Sequence, residues 1–255
     1  MVTTVLKSSQ VTETGHVKNL SNFKAVIAAA TSFGNSYNPS KPGLTIAEMQ
    51  KLAEKGDLAI SNVSAAMAVY KKAIDSRNSA FEPLNKLLTR VMNALKASDT
   101  TDNMDKSARE LVRKIQGVRS KPKRTEEEKK ADTEAGIIYD EVSASQMSYD
   151  SRTGNFRELV QLLSSIPEYI PNEKELQVDT LKSLSDDLIT KNIFVINAMM
   201  ALNNARASRN EIMYSPVKGM VDVALDVKSY LKSVFGPTSL QYKKVAGLDF
   251  TKYKN

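Results

Sequence analysis

Apolar or small residues recur at alternating steps of three and four between Leu44 and Phe81. This spacing is the heptad pattern of an α-helix that buries one face along its length. The same spacing returns in the second half of the chain, from Val178 to Met213. The pattern therefore predicts two long helices, the first from about Leu44 to Ala80.

Shorter amphipathic helices are predicted before and after the first long helix. Pro83 ends the long helix, because proline lacks an amide donor and clashes with the preceding turn. Gly34 and Gly117 stand where helices are expected to end, a common position for glycine. The predicted short elements are a helix from Asn22 to Gly34, a helix from Leu84 to Leu95, a turn from Ser98 to Asn103 and a helix from Met104 to Ile115.

The second half of the chain repeats landmarks of the first half in the same order. The offset between matching segments is nearly constant along the chain, so only small gaps are needed to align them. Because so many matches keep their order, they indicate an internal duplication. The matching segments are Asn22-Phe23-Lys24 with Asn155-Phe156-Arg157, Tyr37-Asn38-Pro39 with Tyr169-Ile170-Pro171, Arg77-Asn78 with Arg209-Asn210, and Pro83 with Pro216.

The duplication suggests four segments and a fold class. A helix of about 37 residues spans about 55 Å and cannot bury its apolar face alone. We therefore expect an all-α, elongated antiparallel helical bundle, built from a tandem duplication with one long helix in each repeat. The alternative is two separate small bundles, one for each repeat. The predicted segments are a polar N-terminal segment (1–15), helical repeat 1 (16–117), a charged linker (118–145) with a helical turn near 125–134, and helical repeat 2 (146–255).

The composition argues against most catalytic sites. The chain has no cysteine, which removes disulfides and thiolate chemistry and fits a reducing compartment. His16 is the only histidine, so zinc and di-iron sites are not expected, and its polar surroundings predict that it is exposed to solvent. Asp186 and Asp187 are adjacent on a helix and point in different directions, so they do not form an acid–base pair. We expect no enzymatic activity, no cofactor and no small-molecule substrate.

No segment of the sequence has the pattern of a membrane or secretion signal. The most apolar run, Ile193 to Leu202, is interrupted by Asn197 and is much shorter than the roughly 20 residues needed to span a bilayer. Met1 to Gly15 lacks the apolar core of a secretory signal. We therefore expect a soluble cytoplasmic protein without a membrane partner.

Five segments of the second half carry a resemblance to a known family. They are Ser145–Asp150, Asn155–Arg157, Tyr169–Glu173, Asn204–Asn210 and Val227–Gly236. In these segments the chain resembles a family of internally duplicated all-helical proteins from Bacteroidetes bacteria, and the resemblance extends over nearly the whole length. It implies an all-helical fold and a bacterial origin. It implies no functional residue, cofactor or partner.

Both repeats place an arginine at a position where the heptad pattern calls for an apolar residue. These arginines belong to the pairs Arg77-Asn78 and Arg209-Asn210. A charge among buried positions is costly unless it is paired. In the structural interpretation each guanidinium binds carbonyl oxygens at the end of its helix. In the alternative interpretation each guanidinium binds an anion in a pocket, which would give two equivalent sites. The candidate partners in the chain are Asp75, Glu82 and Glu211.

The formal net charge of +7 is concentrated in one stretch. Eight basic residues accompany a single acidic residue, Glu110, so this stretch accounts for the whole excess. It is either a solvated helix face or a contact surface for an acidic partner such as nucleic acid. No aromatic residue lies among the charges, so stacking on single strands is not supported. The basic residues are Lys106, Arg109, Arg113, Lys114, Arg119, Lys121, Lys123 and Arg124.

Two functional hypotheses follow from these patterns. The first is a non-catalytic structural or protein-interaction protein that binds itself or another protein. The alternative is a nucleic-acid-binding or ribosome-associated protein that uses the basic residues between Lys106 and Arg124.

Overall fold

The computed structural model describes residues 13–118 and 147–252, together with the single residues 125, 127, 130, 131 and 134. Within these residues the chain forms α-helices and short 3₁₀ helices and no β-strand, so the predicted all-α helical fold is confirmed. The α-helices are α1 (Glu13–Ser32), α2 (Ile46–Phe81), α3 (Leu84–Lys96), α4 (Asp102–Gln116), α5 (Tyr149–Ser164), α6 (Val178–Tyr214), α7 (Met220–Phe235) and α8 (Leu240–Ala246). The 3₁₀ helices are Gly34–Ser36, Pro42–Leu44 and Lys174–Leu176.

Both predicted long helices are present. Helix α2 has 36 residues and α6 has 37. Pro83 precedes the first residue of α3, which confirms the predicted break after α2. Gly117 ends α4 with a φ of 71°, a left-handed conformation that glycine adopts without steric strain.

Two predictions about the short elements are wrong. Helix α1 begins at Glu13 rather than near Asn22, and His16 is 1% exposed rather than solvated. The sequence contains the reason, because His16, Leu20 and Phe23 continue the three-and-four spacing of buried positions towards the N-terminus. The turn after α3 is also shorter than predicted, since the Thr101 hydroxyl accepts a hydrogen bond from the Met104 amide at 3.5 Å and caps α4.

Most of the predicted linker lies outside the described residues. Glu127, Lys130, Ala131 and Glu134 are described and have helical backbone. They fall within the helical turn that was predicted near residues 125–134.

The described helices are grouped into two compact units. Unit 1 contains the residues up to Tyr70 and those from Ala198 onward, whereas unit 2 runs from Lys71 to Asn197. The boundaries fall inside α2 and α6. Each unit therefore takes helices from both predicted repeats.

The core of unit 1 combines α1 and the start of α2 with α7 and α8. Phe23 and Met49 from the first repeat belong to the same buried cluster as Met213 and Val227 from the second. Helix α1 packs against α7 and α8, and α7 packs against the 3₁₀ helix Pro42–Leu44. This core is therefore completed only when both ends of the chain are present.

The core of unit 2 combines α3 and α4 of the first repeat with α5 and the start of α6 of the second. Leu88 and Ile115 from the first repeat are clustered with Phe156 and Leu188 from the second. Helix α4 packs against α3 and α5, and α3 packs against the 3₁₀ helix Lys174–Leu176. The alternative in which each repeat forms its own bundle is therefore wrong, because neither repeat contains a complete core.

The loop before each long helix has the same geometry in both repeats. The Tyr37 hydroxyl donates to the carbonyl oxygen of Leu44 at 2.6 Å, and the Tyr169 hydroxyl donates to the carbonyl oxygen of Leu176 at 3.0 Å. Each leucine is the last residue of a 3₁₀ helix and is buried. These matches support the duplication, which stays a prediction from the sequence.

The two loop tyrosines are expected to make the protein sensitive to alkali. Burial raises the pKa of Tyr37 well above its usual value, and burial together with nearby Glu173 raises the pKa of Tyr169 to about 12. An unfolded tyrosine ionises near pH 10, at about its model value. Between about pH 10 and pH 12 the unfolded state therefore loses these protons first, and the free energy of unfolding falls as the pH rises.

Urea unfolding between pH 7 and pH 11 checks this expectation. Tyr169→Phe should cost about 1 kcal/mol at pH 7, because a buried hydrogen bond is lost, and should reduce the fall above pH 10. Tyr70→Phe is the control, since the Tyr70 hydroxyl on α2 has no hydrogen-bond partner among the described residues. An unchanged alkaline fall in Tyr169→Phe would contradict the assignment.

Candidate functional sites

Arg77 lies in the last turns of α2 and is half-buried in unit 2. Its Nη1 donates a hydrogen bond to Oδ1 of Asn192 at 3.0 Å. Its guanidinium carbon is 3.7 Å from the centroid of the Tyr149 ring, which is a cation–π contact. Its Nε is buried and has no hydrogen-bond acceptor within the described parts of the chain. Arg77 is therefore held by an amide and an aromatic ring.

The neighbours of Arg77 extend this set of polar contacts. Asn192 is buried and donates from Nδ2 to Oδ1 of Asp150 at 2.5 Å. The Tyr149 hydroxyl donates to Oδ1 of Asn78 at 2.7 Å. The contacts join α2, α5 and α6 within unit 2. The expected pairing of Arg77 with Asp75 or Glu82 is wrong, because its partners come from distant parts of the chain.

Arg209 occupies the corresponding place in the second repeat but has different contacts. It is 4% exposed, and its Nε and Nη2 donate to Oδ1 of the adjacent Asn210 at 3.1 and 2.9 Å. Asn210 thus accepts from its own neighbour, whereas Asn78 accepts from Tyr149. The described contacts of the two arginines therefore differ. Arg77 binds a side-chain amide rather than the helix-end carbonyl oxygens of the structural interpretation, so that detail is wrong for Arg77, and anion binding stays a hypothesis.

A buried polar network in unit 1 was missed by sequence reasoning. His16 Nδ1 is hydrogen-bonded to the Tyr214 hydroxyl at 2.7 Å, and Asn19 Nδ2 donates to the same hydroxyl at 3.2 Å. Asn19 also exchanges two hydrogen bonds with the backbone of Thr251, at 2.9 and 3.0 Å. The network fastens the segment after α8 to α1. Its sequence signal was the helical register that places His16 one turn before Leu20.

A groove of about 440 Å³ lies in unit 1 between α1 and α2. Its volume is in the range of small ligand sites. At the positions of unit 2 that match Val17 and Ile60, Asp150 and Asn192 form a hydrogen bond instead. Because four of the six residues that line the groove are apolar, it is suited to apolar rather than charged groups. Its lining residues are Thr14, Val17, Ile60, Val63, Ser64 and Met67.

The first four residues of the basic stretch are on α4. Lys106, Arg109 and Lys114 are exposed, and Arg113 is half-buried. None of these four side chains forms an ion pair or a hydrogen bond with another described residue. The remaining members of the stretch, Arg119, Lys121, Lys123 and Arg124, lie outside the described residues.

The middle of α6 exposes several large apolar side chains. Phe194 is 51% exposed, and four neighbouring apolar residues are exposed to a similar degree. Val195, Ala198 and Leu202 are buried, so this part of α6 contacts the rest of the protein along a narrow strip. The exposed residues are Ile193, Phe194, Ile196, Met199 and Met200, and together we name them the α6 apolar face.

Comparison with protein-family models, curated protein sequences and solved structures gives no match. None of the described helices is long and apolar enough to cross a membrane. Among the residues that the structure describes, no three histidine, aspartate or glutamate side chains are grouped so that they could hold a metal ion. Function must therefore be inferred from the surfaces of the molecule.

Proposed function

We propose that the protein is a non-catalytic interaction protein that binds a second copy of itself through the α6 apolar face. The observation that carries this proposal is the run of half-exposed large apolar side chains in the middle of a long helix. Helices at the surface of soluble proteins normally present polar residues to solvent, and contiguous exposed apolar residues mark interaction sites. The burial of His16, the only histidine, supports the non-catalytic part.

The charges on α6 favour a second copy as the partner. Lys182 comes about three helical turns before Ile193, and Glu211 comes about five turns after it. Because both separations are close to whole numbers of turns, the three side chains lie on one face. Both charged residues are exposed, and neither has an ion-pair partner among the described residues.

Antiparallel pairing of two α6 helices brings these charges together. A register that sets Ile193 opposite Met200 of the second copy also sets Lys182 opposite Glu211, because the residue numbers of each pair have the same sum. Two-fold symmetry then repeats both contacts. One register thus combines apolar contact at the centre with two ion pairs at the ends.

Replacing Phe194 with glutamate is expected to abolish this association. A carboxylate in the apolar contact must be desolvated without a partner, which should weaken dimerisation at least tenfold. Size-exclusion chromatography with light scattering, over a range of concentrations, measures the change. Ile170→Glu is the control, because Ile170 is 79% exposed on a loop outside α6. It should leave the dimer unchanged.

Charge reversal tests the register of the pairing. Lys182→Glu should weaken the dimer several-fold, and the double variant Lys182→Glu, Glu211→Lys should restore it. A wild-type chain that is monomeric at every concentration would refute the proposed function. A dimer that Phe194→Glu leaves intact would refute the use of the α6 apolar face.

A further inference from the structure

The basic residues of α4 form a stripe along one face of the helix. Lys106, Arg109 and Arg113 follow each other at steps of three and four, so they lie one above another. The stripe is about 10 Å long, and Lys114 lies beside its end. Helix α4 also carries three acidic residues, Asp102, Asp105 and Glu110, and none of them forms an ion pair with another described residue.

The stability of the fold accounts for only part of this stripe. Arg113 and Lys114 are in the last turn of α4, where cations are favoured by the partial negative charge of the helix C-terminus. Lys106 and Arg109 lie farther from that end and gain less from it. Some exposed cations of the protein are paired, as Lys41 is with Asp226 at 2.5 Å, whereas others, such as Lys182, have no ion-pair partner among the described residues. The cations of α4 repel each other, and Asp102, Asp105 and Glu110 offset this only in part, because none of them forms an ion pair with the stripe.

Arg113 shows most clearly that the fold leaves this stripe unsatisfied. Its Nε is buried and has no hydrogen-bond acceptor among the residues that the structure describes. A buried donor without an acceptor costs free energy. The guanidinium is half-buried, so its remaining N–H groups can be reached from the exposed side of α4. Planar, bidentate donors of this kind match the oxygens of a phosphate group.

We propose that this stripe of α4 binds the phosphate backbone of double-stranded nucleic acid without reading its sequence. Cations in a row along a helix suit a regular array of phosphates. Helix α4 contains no aromatic residue, so it offers no surface on which the bases of a single strand could stack. Contacts to phosphate alone position a protein on a duplex but carry no sequence information. The binding does not depend on self-association through α6.

The test is the salt dependence of binding to a labelled DNA duplex of arbitrary sequence, measured by fluorescence anisotropy. With up to four cations engaged, the slope of log affinity against log salt concentration is expected to be about −3 to −4. Lys106→Gln and Arg109→Gln should each weaken binding several-fold at low salt and reduce the slope by about one. Lys71→Gln and Lys72→Gln remove the same charge from exposed positions on α2 and should leave the slope unchanged.

Three outcomes would overturn the proposal. The first is no binding to the duplex at low salt. The second is an equal loss of affinity in the α4 variants and the α2 controls. The third is tighter binding to polyglutamate than to the duplex. The measurements are repeated with the Phe194→Glu variant, so that loss of self-association and loss of duplex binding are distinguished. Lys106 and Arg109 are exposed sites for substitution, which keeps the test independent of any effect on folding.

Discussion

Replacing Phe156 with alanine is expected to lower the free energy of unfolding by about 3–5 kcal/mol. Phe156 is completely buried in the core of unit 2, where no solvent can fill the space left by its ring. The loss combines the transfer free energy of the ring with the cost of a cavity. Phe23, its counterpart in unit 1, is also completely buried and should show a loss of similar size.

The two substitutions should affect different helices. Phe156→Ala should accelerate amide hydrogen exchange in α3, α4 and α5, whereas Phe23→Ala should accelerate it in α1, α7 and α8. Helices α2 and α6 each cross the boundary between the units. In each of these helices, Phe156→Ala should accelerate exchange in the part that belongs to unit 2, and Phe23→Ala should accelerate it in the part that belongs to unit 1. Val234→Ala, at a half-exposed position of α7, is the control and should change stability by less than about 0.5 kcal/mol.

The pattern of hydrogen exchange separates two organisations of the chain. Faster exchange confined to the helices of one predicted repeat would contradict the observed grouping, in which each core draws on both repeats. The same pattern for both substitutions would contradict the presence of two distinct cores.

Replacing Gly219 with alanine is expected to cost about 3 kcal/mol, at the upper end of the usual cost of overpacking. Gly219 is buried immediately before α7. An added Cβ would lie 2.6 Å from the carbonyl oxygen of Ser215 and 2.7 Å from its nitrogen. These contacts are with backbone, so no side-chain rotation can relieve them. The turn between α6 and α7 would have to move.

Two other glycines provide matched controls for Gly219→Ala. A Cβ at Gly43 or at Gly247 would meet no atom within 4 Å. Alanine at these positions should be neutral or stabilise the protein by up to about 1 kcal/mol, because it restricts the unfolded chain. Urea denaturation measures all three variants. A Gly219→Ala protein as stable as Gly43→Ala would contradict the predicted backbone clash.

The long helices could be predicted because their signals are local. The three-and-four spacing and Pro83 define α2 without reference to any other part of the chain. The start of α1 was missed because His16 is polar, although it occupies a buried position of the same helical register. A polar side chain counts as exposed in pattern reasoning unless its partner is known, and its partner Tyr214 lies at the far end of α6.

The packing of helices from both repeats into each core could not be predicted from periodicity. A stripe of apolar residues shows which face of a helix is buried, but not which helix covers it. The same limit applies to the candidate sites. Arg77 was correctly identified as an exception to the apolar pattern, but its partners Tyr149 and Asn192 come from α5 and α6. The charges close to Arg77 in sequence suggest an ion pair, whereas the structure provides an amide and an aromatic ring.

The shared cores also have a consequence for biosynthesis. Phe23 and Leu231 belong to one core, although Phe23 lies in α1 and Leu231 in α7. The helices of unit 2 come from one continuous stretch, so this unit can close while α7 and α8 are still being synthesised. Contacts between such distant residues form slowly, and apolar surface stays exposed until they form. Helix α1 therefore leaves the ribosome well before the helices that bury it, and its apolar face stays uncovered until α7 and α8 have been synthesised.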